Sequence, residues 1–319
     1  MKYKIAVIEE IHKDGLELLK NHSDFEYELI TNVSQENLVK KLPEFDACTL
    51  RVSKLDESIL KHCKKLKAIS RHGVGFDNVD LEYIKKNDIT LLVTATANAV
   101  AVAEHVLSMF LSLSKSIIEY DTDVRKGNFK SNAKKITTFE LLNKNILIAG
   151  FGRIGKKLIK RCLAFDTKVY VYDPYVDETI IKNHGGIKVT NIEDGLKIAD
   201  YVSLHMPLTA ETKNLLNYSV FKKMKKNSIV VNTARGGIIN EIDLEKALNE
   251  GLIFGAGLDV FSNEPVEKNN PLLKNKKVIL SPHSATFTNE CTSRMGIETT
   301  KNIIDFFEKK IDKSMIIKL

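Results

Sequence analysis

The chain lacks the marks of several protein classes. Its four cysteines, Cys48, Cys63, Cys162 and Cys291, form no CxxC pair. Each stands in or beside an apolar segment, as a buried free thiol in a reducing compartment does, so no metal is expected from them. No apolar run approaches a membrane span, and the charged, strand-like first ten residues have no apolar signal region. These absences predict a cytoplasmic protein with no membrane partner. The formal net charge is +7, but the lysines are scattered, as in Lys222, Lys223, Lys225 and Lys226. Without an arginine-rich stripe or zinc-finger spacing, no nucleic-acid partner is expected. No short-period repeat is present.

What is present is a rhythm. The 319 residues are enough for two domains, and 43% apolar residues are enough to build their cores. Short apolar strands such as "KIAVIEE", "FEYELIT", "DACTLRV", "LKAISR" and "ITLLV" alternate with amphipathic helices such as "DGLELLKN", "SQENLVKKL" and "DNVDLEYIKKN". That alternation predicts a parallel sheet covered on both faces. Ala99 to Tyr120 reads as one long helical segment joining two lobes, and a polar stretch to Thr138 then interrupts the pattern. "NILIAG", "KVYVYD", "GIKVT", "YVSLH", "SIVVN", "GAGLDV" and "KVIL" form a second series, suited to a doubly wound sheet. After His283 an amphipathic helix returns and is expected to pack on the first lobe. The expected fold is α/β, two Rossmann-like domains with parallel sheets, the first discontinuous. Its two domains are residues 1–98 plus 285–319, and residues 99–284.

"NILIAGFGRIGKKLIKRCLAFDTKVYVYDP" holds Gly150, Gly152 and Gly155 as GxGxxG, after a strand and opening a helix. The glycines suit a tight turn, close backbone approach to a pyrophosphate and close helix–sheet packing, with the helix N-terminus facing the phosphates. Arg153 stands beside that turn, or simply faces solvent. Asp173 ends the next strand at the distance expected of a ribose ligand. Its charge opposes a 2′-phosphate, which favours NAD as the cofactor over NADP.

Arg235, Glu264 and His283 each follow a strand of the second series. An arginine there can hold a carboxylate in a paired hydrogen bond. A histidine can move a proton near neutral pH, and a nearby carboxylate favours its charged form. The bland alternatives are a surface salt bridge for Arg235 and a structural role for a lone histidine, as read for His205 after "YVSLH". The nearby glutamate and Pro282 favour His283 over His205. In the first series, the backbone of Gly73, Val74 and Gly75 can cradle an anion. Arg51 and Arg71 end two strands, and if those strands are neighbours both guanidiniums serve one crevice and a second negative group on the substrate. Otherwise they are two isolated surface arginines.

Taken in order, "RHGVGFDNVDLE", "NAVAVAEHVLSMFLSLSK", "GFGRIGKKLIKR", "SLHMPLTAETKNLLN", "VVNTARGGIINEIDLEKAL", "AGLDVFSNEP" and "SPHSAT" resemble the D-isomer-specific 2-hydroxyacid dehydrogenases over nearly the whole chain. The resemblance implies that Arg235 binds the substrate's carboxylate and its carbonyl or hydroxyl oxygen. It implies His283 as acid/base, Glu264 as its partner, and Val74 and Gly75 as amide donors to the carboxylate. Asp259 would orient the nicotinamide carboxamide. Ile154, His205, Pro207, Thr212, Thr233, Ala234 and Ser284 would line the cofactor cleft with the glycine loop. It further implies a homodimer whose lobes close about hinges near Thr96–Ala99 and Ala285–Thr288. Arg51 and Arg71 look like the pair that faces the charged tail in phosphoglycerate dehydrogenases. The sequence stops at Leu319, so the expected form is one lacking a C-terminal regulatory domain. The expected substrate is a small anionic 2-hydroxy or 2-oxo acid, with 3-phosphoglycerate leading. Glyoxylate, hydroxypyruvate and other acids stay open, as does a dinucleotide-sensing corepressor. "TATANAV", Phe129 and Met206 depart from the frequent pattern without removing a catalytic group.

Overall fold

The computed structural model describes residues 2–129 and 136–319. The chain divides into two compact units, Met1–Asn98 with Phe287–Leu319, and Ala99–Thr286.

In the first unit, β1 (Tyr3–Ile8), β2 (Phe25–Ile30), β3 (Ala47–Leu50), β4 (Ala68–Arg71) and β5 (Thr90–Val93) form one parallel sheet, ordered β2-β1-β3-β4-β5. Helices α1 (Lys13–Lys20), α2 (Gln35–Lys41), α3 (Glu57–Leu60) and α4 (Leu81–Lys86) lie in the crossovers. Alternate residues serve opposite faces of a strand. Thus Ala6, Ile8, Cys48 and Ile69 pack with Leu38, Leu60 and Ile84, while Ile5, Val7, Ala47 and Ala68 pack with Leu19 and Ile303. Ile303 belongs to α12 (Asn289–Phe307), which the Thr288 hydroxyl caps by accepting the Cys291 N–H at 3.1 Å. α1 and α12 approach so closely that a Cβ on Gly15 would lie 2.4 Å from the Gly296 carbonyl oxygen. The strand order reverses between β1 and β3. Arg51 therefore begins its loop where an open sheet of this kind makes its crevice.

In the second unit, β6 (Asn145–Ala149), β7 (Lys168–Tyr172), β8 (Ile187–Val189), β9 (Tyr201–Leu204), β10 (Ile229–Asn232), β11 (Gly255–Leu258) and β12 (Val278–Leu280) are all parallel. Their order is β12-β11-β10-β9-β6-β7-β8, so the reversal falls between β6 and β9. Helices α5 (Ala99–Ser114), α6 (Ile117–Arg125), α7 (Arg153–Leu163), α8 (Glu178–Asn183), α9 (Ile192–Ile198), α10 (Tyr218–Phe221) and α11 (Glu241–Asn249) complete the unit. One face of the sheet buries Leu147, Val202 and Val230 under Leu196, Phe221 and Leu244. The other buries Ile146, Ile148 and Val231 under Phe110 and Leu158.

One expectation is corrected. Ala99 to Tyr120 is not one helix, because α5 ends at Ser114 and α6 departs at 59° to it. Ser116 has a left-handed backbone, φ 48°. The Ser114 hydroxyl, shared between the Phe110 carbonyl at 2.6 Å and the Tyr201 hydroxyl at 2.8 Å, anchors the end of α5 in the core. Burial ends there, and α6 buries none of its residues. Part of the polar stretch expected to interrupt the pattern, residues 130–135, lies outside the described residues. Among the described residues no single helix is long and apolar enough to cross a membrane.

Candidate active site

The glycine loop stands at the reversal of the second sheet. Gly150 leaves β6 with φ +102°, and a Cβ there would come within 2.4 Å of the His205 carbonyl oxygen at the end of β9. A Cβ on Gly155 would sit 2.5 Å from the Gly150 carbonyl oxygen, whereas one on Gly152 would meet nothing within 4 Å. The first and third glycines thus let backbone segments touch, and the second leaves open space above the loop. Gly152 precedes α7 with no side-chain cap on the helix, so the field of the N-terminus is available to an anion. Arg153 is exposed at the first helical position, and Ile154 packs against the core.

Asp173 follows β7 beside that loop. Its Oδ2 accepts the Phe151 N–H at 2.8 Å and its Oδ1 accepts the Tyr175 N–H at 2.9 Å. One amide per oxygen fixes the carboxylate and leaves a lone pair on each for further donors. Beyond β9, the exposed turn holding Pro207 is closed by the Thr212 hydroxyl, which donates to the Pro207 carbonyl at 2.7 Å. After β10, Thr233 is buried with no hydrogen-bond partner for its hydroxyl, and Ala234 is half-buried beside it. An open space over Gly152, an uncapped helix, a fixed carboxylate and an orphaned hydroxyl fit a dinucleotide. They stand at the carboxyl ends of β6, β7 and β10, with β9 between β6 and β10.

His205 is a poor proton carrier. Burial pushes its imidazole down to about 4, and Ser203 bonds its Nε2 at 2.8 Å. It is a neutral ring under the glycine loop.

Arg235, Glu264 and His283 rise from β10, β11 and β12, three successive neighbours in the sheet. Asn232 shapes the turn carrying Arg235: its Oδ1 accepts the Ala234 N–H at 3.0 Å and its Nδ2 donates to the Arg235 carbonyl at 2.8 Å. The next residue, Gly236, lies so near the β11 loop that a Cβ would fall 1.8 Å from the Phe261 carbonyl oxygen. Glu264 closes that loop by accepting the Phe261 N–H at 3.0 Å with Oε1. Its Oε2 is 2.7 Å from His283 Nδ1. The Glu264 hydrogen bond, aided by the charges of Glu264 and Asp259, raises the His283 imidazole above its ordinary value, against burial and Arg235. Burial alone would raise the Glu264 carboxyl, but the His283 and Phe261 hydrogen bonds and the charges of His283 and Arg235 outweigh it and hold it below the usual range. Half of the His283 side chain is exposed, so a ring whose Nδ1 is held by Glu264 can still meet a ligand.

Asp259 is buried at the end of β11, and its carboxylate accepts from the Ser281 hydroxyl and from the amides of Ser284 and Ala285. It shapes the loop bearing His283. The sequence signals for that role and for the need of glycine at Gly236 are slight, the serine before Pro282 and the "ARGG" doublet.

In the first unit β3 and β4 are neighbours, with Leu50 paired to Arg71. The Arg71 fork reaches backbone: Nε donates to the Gly75 carbonyl at 2.7 Å, and Nη1 to the Leu50 carbonyl at 2.7 Å and to the Arg51 carbonyl. Arg51 Nη1 donates to the Glu10 carbonyl at 2.8 Å, while the Glu9 carboxylate accepts the Val52 and Ser53 amides. Val74 is exposed and Gly75 half-buried on the loop that Arg71 holds.

The second unit thus holds, at the carboxyl ends of one sheet, a loop that fits a dinucleotide and a paired histidine and carboxylate. Residues 107–285 match the family described as D-isomer specific 2-hydroxyacid dehydrogenase, NAD binding domain. The chain is 33% identical over 303 residues to D-3-phosphoglycerate dehydrogenase of Archaeoglobus fulgidus, covering 95% of this chain but only 57% of that relative. It is 34% identical to hydroxypyruvate reductase of Thermotoga maritima, covering 95% and 97% of the two chains. The crystal structure of D-lactate dehydrogenase from Aquifex aeolicus, complexed with NAD and lactic acid, superposes with a TM-score of 0.85 at 29% identity and 98% coverage of both. The chain belongs to the D-isomer specific 2-hydroxyacid dehydrogenase family, and its second unit carries that family's NAD-binding domain.

Proposed function

We propose that the protein is an NAD-dependent oxidoreductase acting at C2 of a D-2-hydroxy or 2-oxo acid. The observation that carries this reading is the His283–Glu264 pair at 2.7 Å on the strand end next to that of Arg235. NAD(H), when bound at the glycine loop, supplies or accepts the hydride. His283 donates a proton to the C2 oxygen during reduction and takes it back during oxidation. Glu264 stabilises the charged ring and fixes its orientation. Arg235 binds the substrate carboxylate as a fork. Asp173 selects NAD through the ribose hydroxyls.

The leading substrate pair is 3-phosphoglycerate and 3-phosphohydroxypyruvate, with Arg51 serving the tail and Arg71, whose Nε and Nη1 donate to backbone carbonyls, holding the loop beside it. Hydroxypyruvate or glyoxylate is a second reading. Its support is the nearly full-length match to the reductase of Thermotoga maritima. The name of the Archaeoglobus relative belongs to a protein of which the chain spans little more than half. A homodimer is also proposed, supported by exposed Ile117, Ile118 and Val124 on α6. The substrate test compares kcat/KM of wild type and R51A on phosphohydroxypyruvate and on glyoxylate. A tail role predicts roughly a tenfold to hundredfold loss on the phosphorylated acid, the worth of a charge-assisted hydrogen bond, and little loss on glyoxylate. Equal losses on both acids would remove the phosphorylated substrate as the leading reading.

A further inference from the structure

His283 sits in a left-handed turn, φ +51°, a conformation that a non-glycine residue keeps only when its surroundings over-determine it. The surroundings are the bonds of Asp259. The Asp259 carbonyl accepts the His283 N–H at 2.7 Å, just before the turn's far side is tied to the same residue. Asp259 Oδ1 accepts the Ser284 N–H at 2.8 Å, and Oδ2 accepts the Ala285 N–H at 3.0 Å. The remaining donor is the Ser281 hydroxyl, 2.5 Å from Oδ1.

Ser281 has one proton to give. A carboxylate can only accept, so that proton is directed to Asp259 and the hydroxyl oxygen must accept from its other neighbour. That neighbour is His105 of α5, whose Nε2 lies 2.9 Å from Ser281 Oγ and 3.7 Å from Asp259 Oδ1. The arrangement therefore requires hydrogen on His105 Nε2. Around it α5 buries an apolar face of Ala101, Val102, Val106 and Met109. His105 itself is only part-buried at the edge of that face, and its imidazole brings a directed donor there.

We propose that His105 is a positioning residue for the acid/base: its Nε2–H sets the Ser281 hydroxyl on Asp259, which holds the turn that aims His283 at Glu264. The inference rests on His283 being the acid/base group. The charged or titratable groups facing His283 are Glu264, Asp259 and Arg235.

The test uses the full chain, NADH and the 2-oxo acid that wild type reduces fastest. H105A and S281A should each lower kcat about tenfold, the scale of one lost hydrogen bond, with a far smaller change in NADH affinity. With His283 less well aligned on its carboxylates, the alkaline limb of the reduction profile should move to lower pH. H105Q, whose amide can donate, should restore both kcat and the limb. The double variant H105A/S281A should be no worse than either single one, since both break one relay. Additive losses, or an H105Q indistinguishable from H105A, would mean that His105 only fills space. S281A leaves α5 intact and guards against a folding defect, and wild-type turnover with an unmoved limb in S281A would overturn the proposal by itself. H283A separates the two claims. If it keeps turnover, the acid/base reading fails. If it is inactive while S281A behaves as wild type, only the role of His105 fails.

Discussion

At the scale of single residues, the proposed chemistry turns on one contact, His283 Nδ1 to Glu264 Oε2. The Glu264 hydrogen bond is the main reason that His283 titrates above its ordinary value. Reduction needs the protonated ring, so activity in that direction should be lost as pH rises through the raised pKa. Glu264→Gln removes the charge while keeping the shape, and the alkaline limb should move to lower pH. A limb that stays in place, measured as kcat/KM against pH at saturating NADH, would reject the pairing. Asp173 makes a second residue-scale prediction. Two amides pin its carboxylate, so a 2′-phosphate brought to it meets a charge that cannot swing away. The enzyme should use NADH more efficiently than NADPH, and Asp173→Ala should narrow the gap chiefly by impairing NADH. Equal efficiency of the wild type with both cofactors would contradict this.

Much of that chemistry is visible in the sequence, because an ionisable residue after an apolar parallel strand has few places to go except the strand's carboxyl end. What stays hidden is how each side chain spends its hydrogen bonds. Arg71 reads as a guanidinium for a second negative group of the substrate or as an isolated surface arginine, yet its Nε and Nη1 donate to the Leu50, Arg51 and Gly75 carbonyls. His105 carries no mark of its role in the sequence, because its partner Ser281 lies 176 residues away.

At the scale of elements, periodicity carries the fold further than it carries the joints. Each of the seven apolar runs of the second series is a strand, since a strand covered on both faces needs an unbroken apolar run. The break between α5 and α6 escapes the same reading because Lys115 and Ser116 are no worse in a helix than their neighbours, and the Ser114–Tyr201 bond that anchors the end of α5 is tertiary. Glycines mark other joints. Gly236 brings the Arg235 loop against the Phe261 carbonyl, and Ala there would place a methyl carbon at 1.8 Å from its oxygen. Backbone must move, so Gly236→Ala should cost roughly 1–3 kcal/mol in stability. It should also displace Arg235, raising KM for the 2-oxo acid more than for NADH. Urea unfolding and steady-state kinetics on one preparation check both, and a variant with native stability and native KM would show that the loops have slack.

At the scale of the whole molecule, the chain leaves its first unit at Asn98 and returns at Phe287. The return is legible in the amphipathic helix after His283, and its destination is set by α12 packing on α1, with Gly15 against Gly296. Family membership follows from the ordered blocks and from the match to the NAD-binding domain, while the substrate does not. Relatives matched at nearly equal identity are named for different acids, and the fold they share does not choose among them. The central claim is that this molecule oxidises NADH against a small 2-oxo acid with His283 as the proton donor. It is tested most directly by single-turnover NADH oxidation in wild type and H283A across phosphohydroxypyruvate, hydroxypyruvate, glyoxylate and pyruvate, with NADH affinity measured in parallel. Wild type should turn over at least one acid, and H283A should bind NADH normally yet react about 10²–10⁴ times more slowly, the contribution of a placed proton donor. NADH that binds but is oxidised by none of the acids, or an H283A variant as fast as wild type, would contradict it.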